Sequence, residues 1–299
     1  MKSDLHFHSR YSDGHQWPEE MVLKAKSVGL EMIALTDHDT MGGVKRFMEA
    51  CKKQGISGLP AVEIDYDPGI NGYRSELLAY FPDGNYASTD EMLAKIRTGR
   101  RLVASTAFDI MDVENPGNDL SLNDLIRLKL GEEYEGIEGD DITILKEDIL
   151  DYLVSKGLLN AGARSERYVF KKMFFGRPKF KAISQFKPDL FQLLTAIKKD
   201  GGYAVLAHPA NHYKRQLGDM ERNREECLRV FSELKGEGLW GVELHSYENI
   251  PDRDKLNDFF EGIATKTKLR ITYGSDSHGT GSNKDLLGQF YGDFIGFRM

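Results

Sequence analysis

Residues 5–15 read LHFHSRYSDGH, and they hold His6, His8, Asp13 and His15 within eleven positions. His6 and His8 stand two apart in a stretch, SDLHFHS, whose apolar and polar residues alternate as in a β-strand. On a strand, side chains at i and i+2 point to one face, so both imidazoles can bind one ion, with Leu5 and Phe7 expected to pack on the opposite face. Two histidines and a carboxylate do not complete a metal site. The stretch therefore demands partners from elsewhere in the chain, and the fold has to be one that delivers them.

Working outward, strands alternate with helices. WPEEMVLKAKSVG is a helix, with Pro18 in its first turn and Gly29 as its stop. EMIALTD follows as a strand, GVKRFMEACKKQG as a helix closed by Gly55, and SGLPAVEIDY and SELLAYF as further strands. This rhythm implies βαβ units and a parallel sheet or barrel. Residues 97–187 break it and read mostly as helices: SLNDLIRLKLG with Ser121 as N-cap, TILKEDILDYLVSKG with Thr143 as cap, and SERYVFKKMFF. Acidic, Gly-rich loops separate them. From residue 188 the α/β rhythm returns, in KPDLFQLLTAIKKDG, YAVLAHP, REECLRVFSELKGEG, LWGVELHS, DRDKLNDFFEGIATKT and LRITYGSDSH. The expected organisation is a barrel in two parts, 1–96 and 188–299, with a helical insertion at 97–187.

The composition is that of an ordinary globular chain: 299 residues, 40% hydrophobic and 29% charged. Cys51 and Cys227 are the two cysteines, and neither lies in a paired motif. That argues against a disulfide framework or a thiolate zinc site and fits a reducing cytoplasm. MKSDLHFHS lacks the apolar run of a signal peptide, and no stretch approaches the ~18 apolar residues of a membrane span. A net charge of −7 argues against a surface that coats nucleic acid, so no stable nucleic-acid complex is expected.

The chemistry lies where strands end. The first ends at His6 and His8, the second runs into TDHDT with Asp37, His38 and Asp39, and the third carries Glu63. The fourth contains Glu76, and later strands end at His208, at His245 and at SDSH with Asp276 and His278. In a barrel of parallel strands these ends share one rim, where active sites are built. Of the TDHDT carboxylates, Asp39 is expected as a helix cap or an outer partner rather than a ligand. Imidazole and carboxylate donors without thiolate suit zinc, manganese or iron, with magnesium as a harder alternative. There are more candidate ligands than one tetrahedral ion uses, which implies two or three ions bridged by a carboxylate such as Glu63. Clustered ions suit displacement at phosphorus.

The ordered set DLHFHSRYSDG, ALTDHDT, VEI, AVLAHP and YGSDSHG resembles the metal-binding motifs of the PHP (polymerase and histidinol phosphatase) family, and it spans almost the whole chain. The resemblance implies a distorted (β/α)7 barrel holding up to three divalent ions. It implies one ion on His6, His8, Glu63 and Asp276, and a second on Asp13, His38 and His278. A third would rest on Glu63, His208 and a fourth-strand histidine, which this chain replaces with Glu76. The helical insertion before AHP is most similar to that of the family's small phosphoesterases acting on nucleotide phosphates.

A second feature is ARSERYVFKKMFFGRPKFK, residues 163–181, a local reversal of charge sign interleaved with aromatics. Val169, Phe170, Met173 and Phe174 recur at helical spacing and are expected in a core, with the lysines solvated. Arginine forks suit phosphate, so Arg164 and Arg167 are the candidates for gripping substrate. His245 is a candidate proton donor, and His15 and His212 are loop histidines that can meet substrate. The expected function is hydrolysis of small phosphomonoesters, nucleotides or nucleoside bisphosphates, by attack of a metal-bridging hydroxide. The alternatives are a 5'-3' exonuclease on short oligonucleotides, a non-catalytic metal-binding regulatory module, and a barrel hydrolase of C–N bonds.

Overall fold

The computed structural model describes residues 1–67, 73–131, 137–160, 162, 164–182 and 187–297, with the side chains of 164, 165, 181 and 182 outside the description. Two compact units are distinguishable: a barrel unit, Met1–Leu93 with Lys187–Met299, and a helical unit, Ala94–Phe186.

The barrel unit runs β1 (Lys2–Phe7), α1 (Pro18–Ser27), β2 (Met32–Leu35), α2 (Val44–Gln54), β3 (Ser57–Asp65) and β4 (Glu76–Tyr80), then enters α3 (Ala87–Glu114). The chain continues through α4 (Leu122–Leu130), α5 (Lys146–Ser155), α6 (Arg164–Phe174) and α7 (Pro178–Ala182) in the helical unit. It returns with α8 (Leu190–Lys199), β5 (Tyr203–Ala207), α9 (Leu217–Arg222), α10 (Arg224–Gly236), β6 (Leu239–His245), α11 (Arg253–Thr267), β7 (Arg270–Gly274) and β8 (Gly292–Asp293). The strand order is β7-β6-β5-β4-β3-β2-β1-β8. The ring is nearly closed by the segment after β7. His8 N donates to Ser277 O (2.8 Å), and Asp276 N donates to His6 O (2.8 Å). The architecture is a distorted (β/α)7 barrel, with β8 added antiparallel outside β1.

Two sequence expectations about the strands need correction. β4 is antiparallel to both β3 and β5, so the rim is not built from strand C-termini alone. Glu76 opens β4 yet pairs with Asp65 and Ala207, the last residues of its neighbours, and so reaches the same rim. Leu5 and Phe7 do not share a face. Leu5 packs inside the barrel with Ala34, Leu59, Leu78, Val205 and Ala207. Phe7 packs outside it with Met21, Val22 and Phe47 of α1 and α2. The register shifts between Asp4 and Phe7, and this irregularity lets Leu5 and His6 both turn inward.

In the helical unit, Ser121 caps α4 by accepting from Asp124 N (3.1 Å), as its position predicts. Thr143 does not cap α5. That helix starts at Lys146, and Asp148 instead accepts from Leu145 N (2.7 Å). On α6, Phe174 is buried and stacks on Phe170 (5.1 Å), but Val169 and Met173 are 53% and 71% exposed, against expectation. The two i,i+4 pairs lie about 100° apart round the helix, and one stripe is buried.

Asp200, at the end of α8, caps the distant start of α3. It accepts from Ser88 N (3.0 Å), Thr89 N (2.7 Å) and the Thr89 hydroxyl (2.9 Å). Burial favours the neutral acid, but these donors outweigh it and hold the carboxyl below its usual 3.8. The folded value lies below the unfolded one, so the contribution is full at neutral pH and fades as pH falls through the folded value. Asp200→Ala is expected to lower stability by about 1–2 kcal/mol at pH 7, with a smaller gap below about pH 3.5. Denaturant melts of both proteins at the two pH values measure it, and an equal gap at both would refute the charged cap.

Candidate metal centre

The rim assembles residues from β1, β3 and β4 and from the loops after β1, β2, β5 and β7. Three of the rim positions, Asp39 (φ +53°), His208 (+27°) and Asp276 (+55°), adopt left-handed backbone that L-residues rarely use. Such strain persists only where the surroundings enforce it.

Glu63 lies at the middle. Its Oε1 is 2.8 Å from His208 Nε2, and its Oε2 lies 3.2 Å from His6 Nε2, 3.2 Å from His8 Nε2 and 3.3 Å from His38 Nδ1. Asp276 Oδ1 adds contacts to His8 Nε2 (3.1 Å) and His6 Nε2 (3.7 Å). Donor atoms of His6, His8, Glu63 and Asp276 all fall within 4.8 Å of one another, and all four residues are buried. His8, Asp13 and His38 form a second such group, and His38, Glu63 and Glu76 a third. Asp13 Oδ2 also lies 3.1 Å from His278 Nε2, and Glu76 Oε2 lies 3.2 Å from His208 Nε2. All nine predicted ligands therefore converge.

The donor set fits divalent ions. Glu63 Oε2 is buried with no hydrogen-bond partner among the described residues, although three ring nitrogens face it. His6 Nε2 and His8 Nε2 point at each other across 3.2 Å. A cation between these atoms satisfies all of them at once. Without one, protons take that place. Burial alone would push these imidazoles towards neutrality. The carboxylates prevail, Glu63 and Glu243 raising His6, and Asp13, Asp276 and Glu63 raising His8 to about 10. Glu63 and Glu76 likewise lift His208 to about 10. Glu63 and Asp276 are buried and Asp13 is partly buried, yet the facing cations hold each well below the usual carboxylate range.

Four further groups build the walls. Glu243 on β6 accepts from His6 Nδ1 (2.7 Å) and from His208 N (2.6 Å), which fixes the His6 tautomer and leaves Nε2 for a ligand. Gly274 makes room for this contact, since a Cβ there would strike Glu243 Oε1 and His6 Cβ. Asp37 accepts from Ser9 N (2.7 Å), Ser9 Oγ (2.7 Å) and Ser12 Oγ (2.6 Å), holding the turn that carries Asp13. Lys284 donates to Asp276 Oδ2 (2.5 Å). Asp4, pushed up to about 7 by burial against the hydrogen bonds from Ser275, anchors the segment leading to Asp276. Asp39 is an outer partner rather than a cap: it accepts from Asp65 N (3.1 Å), and Gly43 occupies the α2 N-cap.

The remaining candidates divide. His245 is buried beside the cluster, its Nδ1 3.3 Å from Glu243 Oε2, and burial holds it neutral. His15 is exposed, and its backbone N donates to His278 O (2.8 Å). His212 accepts from Arg74 N (2.9 Å) and stacks on Tyr73 (4.3 Å). In the helical unit Arg167 pairs with Asp151. Arg164 opens α6, but its side chain lies outside the described residues.

An α/β barrel whose rim gathers imidazoles and carboxylates round one central glutamate is the arrangement of a metal-dependent hydrolase. Residues 4–246 match the PHP domain model, and the chain belongs to that family. It is 28% identical to a Haemophilus influenzae protein named 5'-3' exoribonuclease, over 96% of this chain and 95% of that one. It is also 28% identical to a 3',5'-nucleoside bisphosphate phosphatase of Chromobacterium violaceum, over 93% of this chain and 87% of that one. Among solved structures, a protein of Bifidobacterium adolescentis described as a metal-dependent phosphoesterase superposes with a TM-score of 0.67 at 27% identity, covering 94% and 89% of the two chains. A Chromobacterium violaceum structure described as an amidohydrolase gives 0.64 at 26% identity, with the same coverage. The chain is a metal-dependent phosphoesterase, a phosphoric ester hydrolase. No described helix is long and apolar enough to cross a membrane.

Proposed function

We propose that the protein hydrolyses small phosphorylated substrates of the nucleotide class, nucleoside bisphosphates foremost. The observation that carries this reading is a cavity of about 460 Å³ beside the cluster, lined in part by Glu76 and His208. A pocket opening directly on candidate ligands can hold the rest of a small phosphate ester while its phosphorus faces the metals. The name of the Chromobacterium violaceum relative supports the same substrate class.

In this reading His6, His8, Glu63 and Asp276 hold one divalent ion, Asp13, His38 and His278 a second, and Glu63, Glu76 and His208 a third. Manganese, zinc and iron suit the mixed donors, and Glu76 shifts the third position towards harder ions such as magnesium. When bound, the ions supply an activated water and neutralise charge developing on the phosphoryl oxygens. The chain's own groups do the positioning. Glu243 orients His6, Asp37 holds the Asp13 turn, and Lys284 keeps Asp276 aimed inward. His245, neutral with its Nδ1 beside Glu243, would have to take up a proton on Nε2 before it could pass one to the leaving oxygen. Arg164 and Arg167 stay candidates for a substrate phosphate.

A 5'-3' exoribonuclease is the second reading, favoured by the name of the Haemophilus influenzae relative. The basic strip is a poor strand track, because Arg167, Lys171 and Arg177 already pair with Asp151, Glu147 and Glu114. A screen of nucleoside mono- and bisphosphates, sugar phosphates and short RNA, each with manganese, zinc, iron and magnesium, tests both. Bisphosphates are expected to lead in kcat/KM. Preference for RNA with steep salt dependence would favour the exonuclease, and no turnover of any ester would sink both.

A further inference from the structure

We propose that Arg74 and the pocket it borders form a second anion site, which receives a phosphate or other dianionic group that the substrate carries besides its scissile phosphate. This rests on the phosphoesterase reading above and names the part of the substrate that the metals do not touch.

The placement follows from the reversed strand. Because β4 runs antiparallel, the residues just before it stand at the rim instead of at the barrel floor. Arg74 precedes Glu76 by two residues, so their Cα atoms are at most about 7 Å apart. Both line the same cavity, together with His208, Asn211, Lys187 and Asp65. One substrate of nucleotide size can therefore touch the metal ligands with one end and Arg74 with the other.

The backbone here is braced and the head group is not. Arg74 N donates to His212 Nδ1 (2.9 Å), and the His212 ring stacks on Tyr73. Tyr73 OH donates to Pro209 O (2.9 Å), and its own carbonyl accepts from Tyr66 OH (3.0 Å). The buried Tyr73 and Tyr66 thus anchor the segment, and His212 serves as its prop. Arg74 itself is exposed. The other pocket cation, Lys187, is paired with Asp65 (2.7 Å). Among the described residues, no carboxylate pairs with the Arg74 guanidinium. Asp67 and Glu76 also border the cavity, and Glu76 is turned towards His38 and His208. A held backbone with an unspent guanidinium facing a cavity is the arrangement that recognises a phosphate by a bidentate fork.

The test compares adenosine 3',5'-bisphosphate with adenosine 3'- and 5'-monophosphates on the protein loaded with its most active metal. The readout is the ratio of kcat/KM for the bisphosphate to that for the better monophosphate. Arg74→Ala is expected to lower this ratio roughly 10- to 100-fold, the size of one charged hydrogen-bonded contact. Arg74→Lys should restore part of the charge effect but not the fork, giving an intermediate ratio. Melting temperatures of the variants, read alongside, report any loss of fold. An unchanged ratio in both variants overturns the proposal. If the wild type turns over neither substrate with any metal, the phosphoesterase reading has failed, and calorimetric titration of the bisphosphate decides the anion site separately. Affinity at least about tenfold weaker in Arg74→Ala keeps the site, and equal or undetectable binding in both proteins overturns it.

Discussion

Glu63→Gln is expected to lower phosphoester turnover by roughly 10³-fold or more, with loss of metal. The substitution is nearly isosteric, so packing at this buried position changes little. What changes is charge and donor type. Glu63 Oε1 and Oε2 together face His208, His6, His8 and His38 at 2.8–3.3 Å. An amide leaves one weak acceptor and puts an NH2 against ring nitrogens that should point at a cation. Because the one carboxylate is shared by two of the donor groups, its loss damages both. Removing a residue that works as part of a unit costs nearly as much as removing the unit. Metal content by atomic emission and kcat/KM on the best substrate check this together. A variant that keeps full metal and full turnover would remove Glu63 from the centre. A variant that keeps metal but loses turnover would give it a role at the substrate instead.

Much of this centre is legible in the chain because its residues gather where strands end. HFH and SDSH each announce a pair at a strand end, although β1 stops at Phe7 and β7 at Gly274, so His8, Asp276 and His278 are placed by the loops that follow and not by the strand period itself. The period of two does expose Glu243, two residues before His245 in LWGVELHS. Attention to the terminal histidine passes over it, although its carboxylate organises His6 and His208. The reversal of β4 is harder to read, since SELLAY is as good a strand in either direction. A signal exists in the connection: residues 66–75 are too few for the crossover that a parallel pair requires, usually a dozen or more. The inward turn of Leu5 has no such signal, because a register irregularity depends on what the neighbouring strands do. Lys284 is similarly silent. It lies in an aperiodic loop, and only folding of that loop onto Ser277 and His278 brings its ammonium to Asp276. On α6 the apolar spacing was real, but it described two stripes and could not say which one has a partner.

Chelation should abolish activity by at least about 10³-fold while leaving the barrel folded, and readdition of a divalent ion should restore it. The fold survives because the centre carries its own substitute charges: the carboxylates of Asp13, Glu63, Asp276 and Glu243 face imidazoles that they keep protonated. An incoming ion must displace those protons, since a protonated imidazole cannot ligate. The sign follows. Lowering the pH strengthens the competitor, so the apparent metal affinity falls with acid, by about tenfold per pH unit for each proton released. Calorimetric titration of the metal-free protein in two buffers of different ionisation heat counts those protons directly. The loaded protein is also expected to melt higher, because the ion binds the folded chain and not the unfolded one, by about 2.7 kcal/mol at a hundredfold excess over Kd. Affinity that is flat from pH 6 to pH 8, or turnover that survives exhaustive chelation, would show that the clustered histidines balance buried charge and do not hold the ions on which hydrolysis depends.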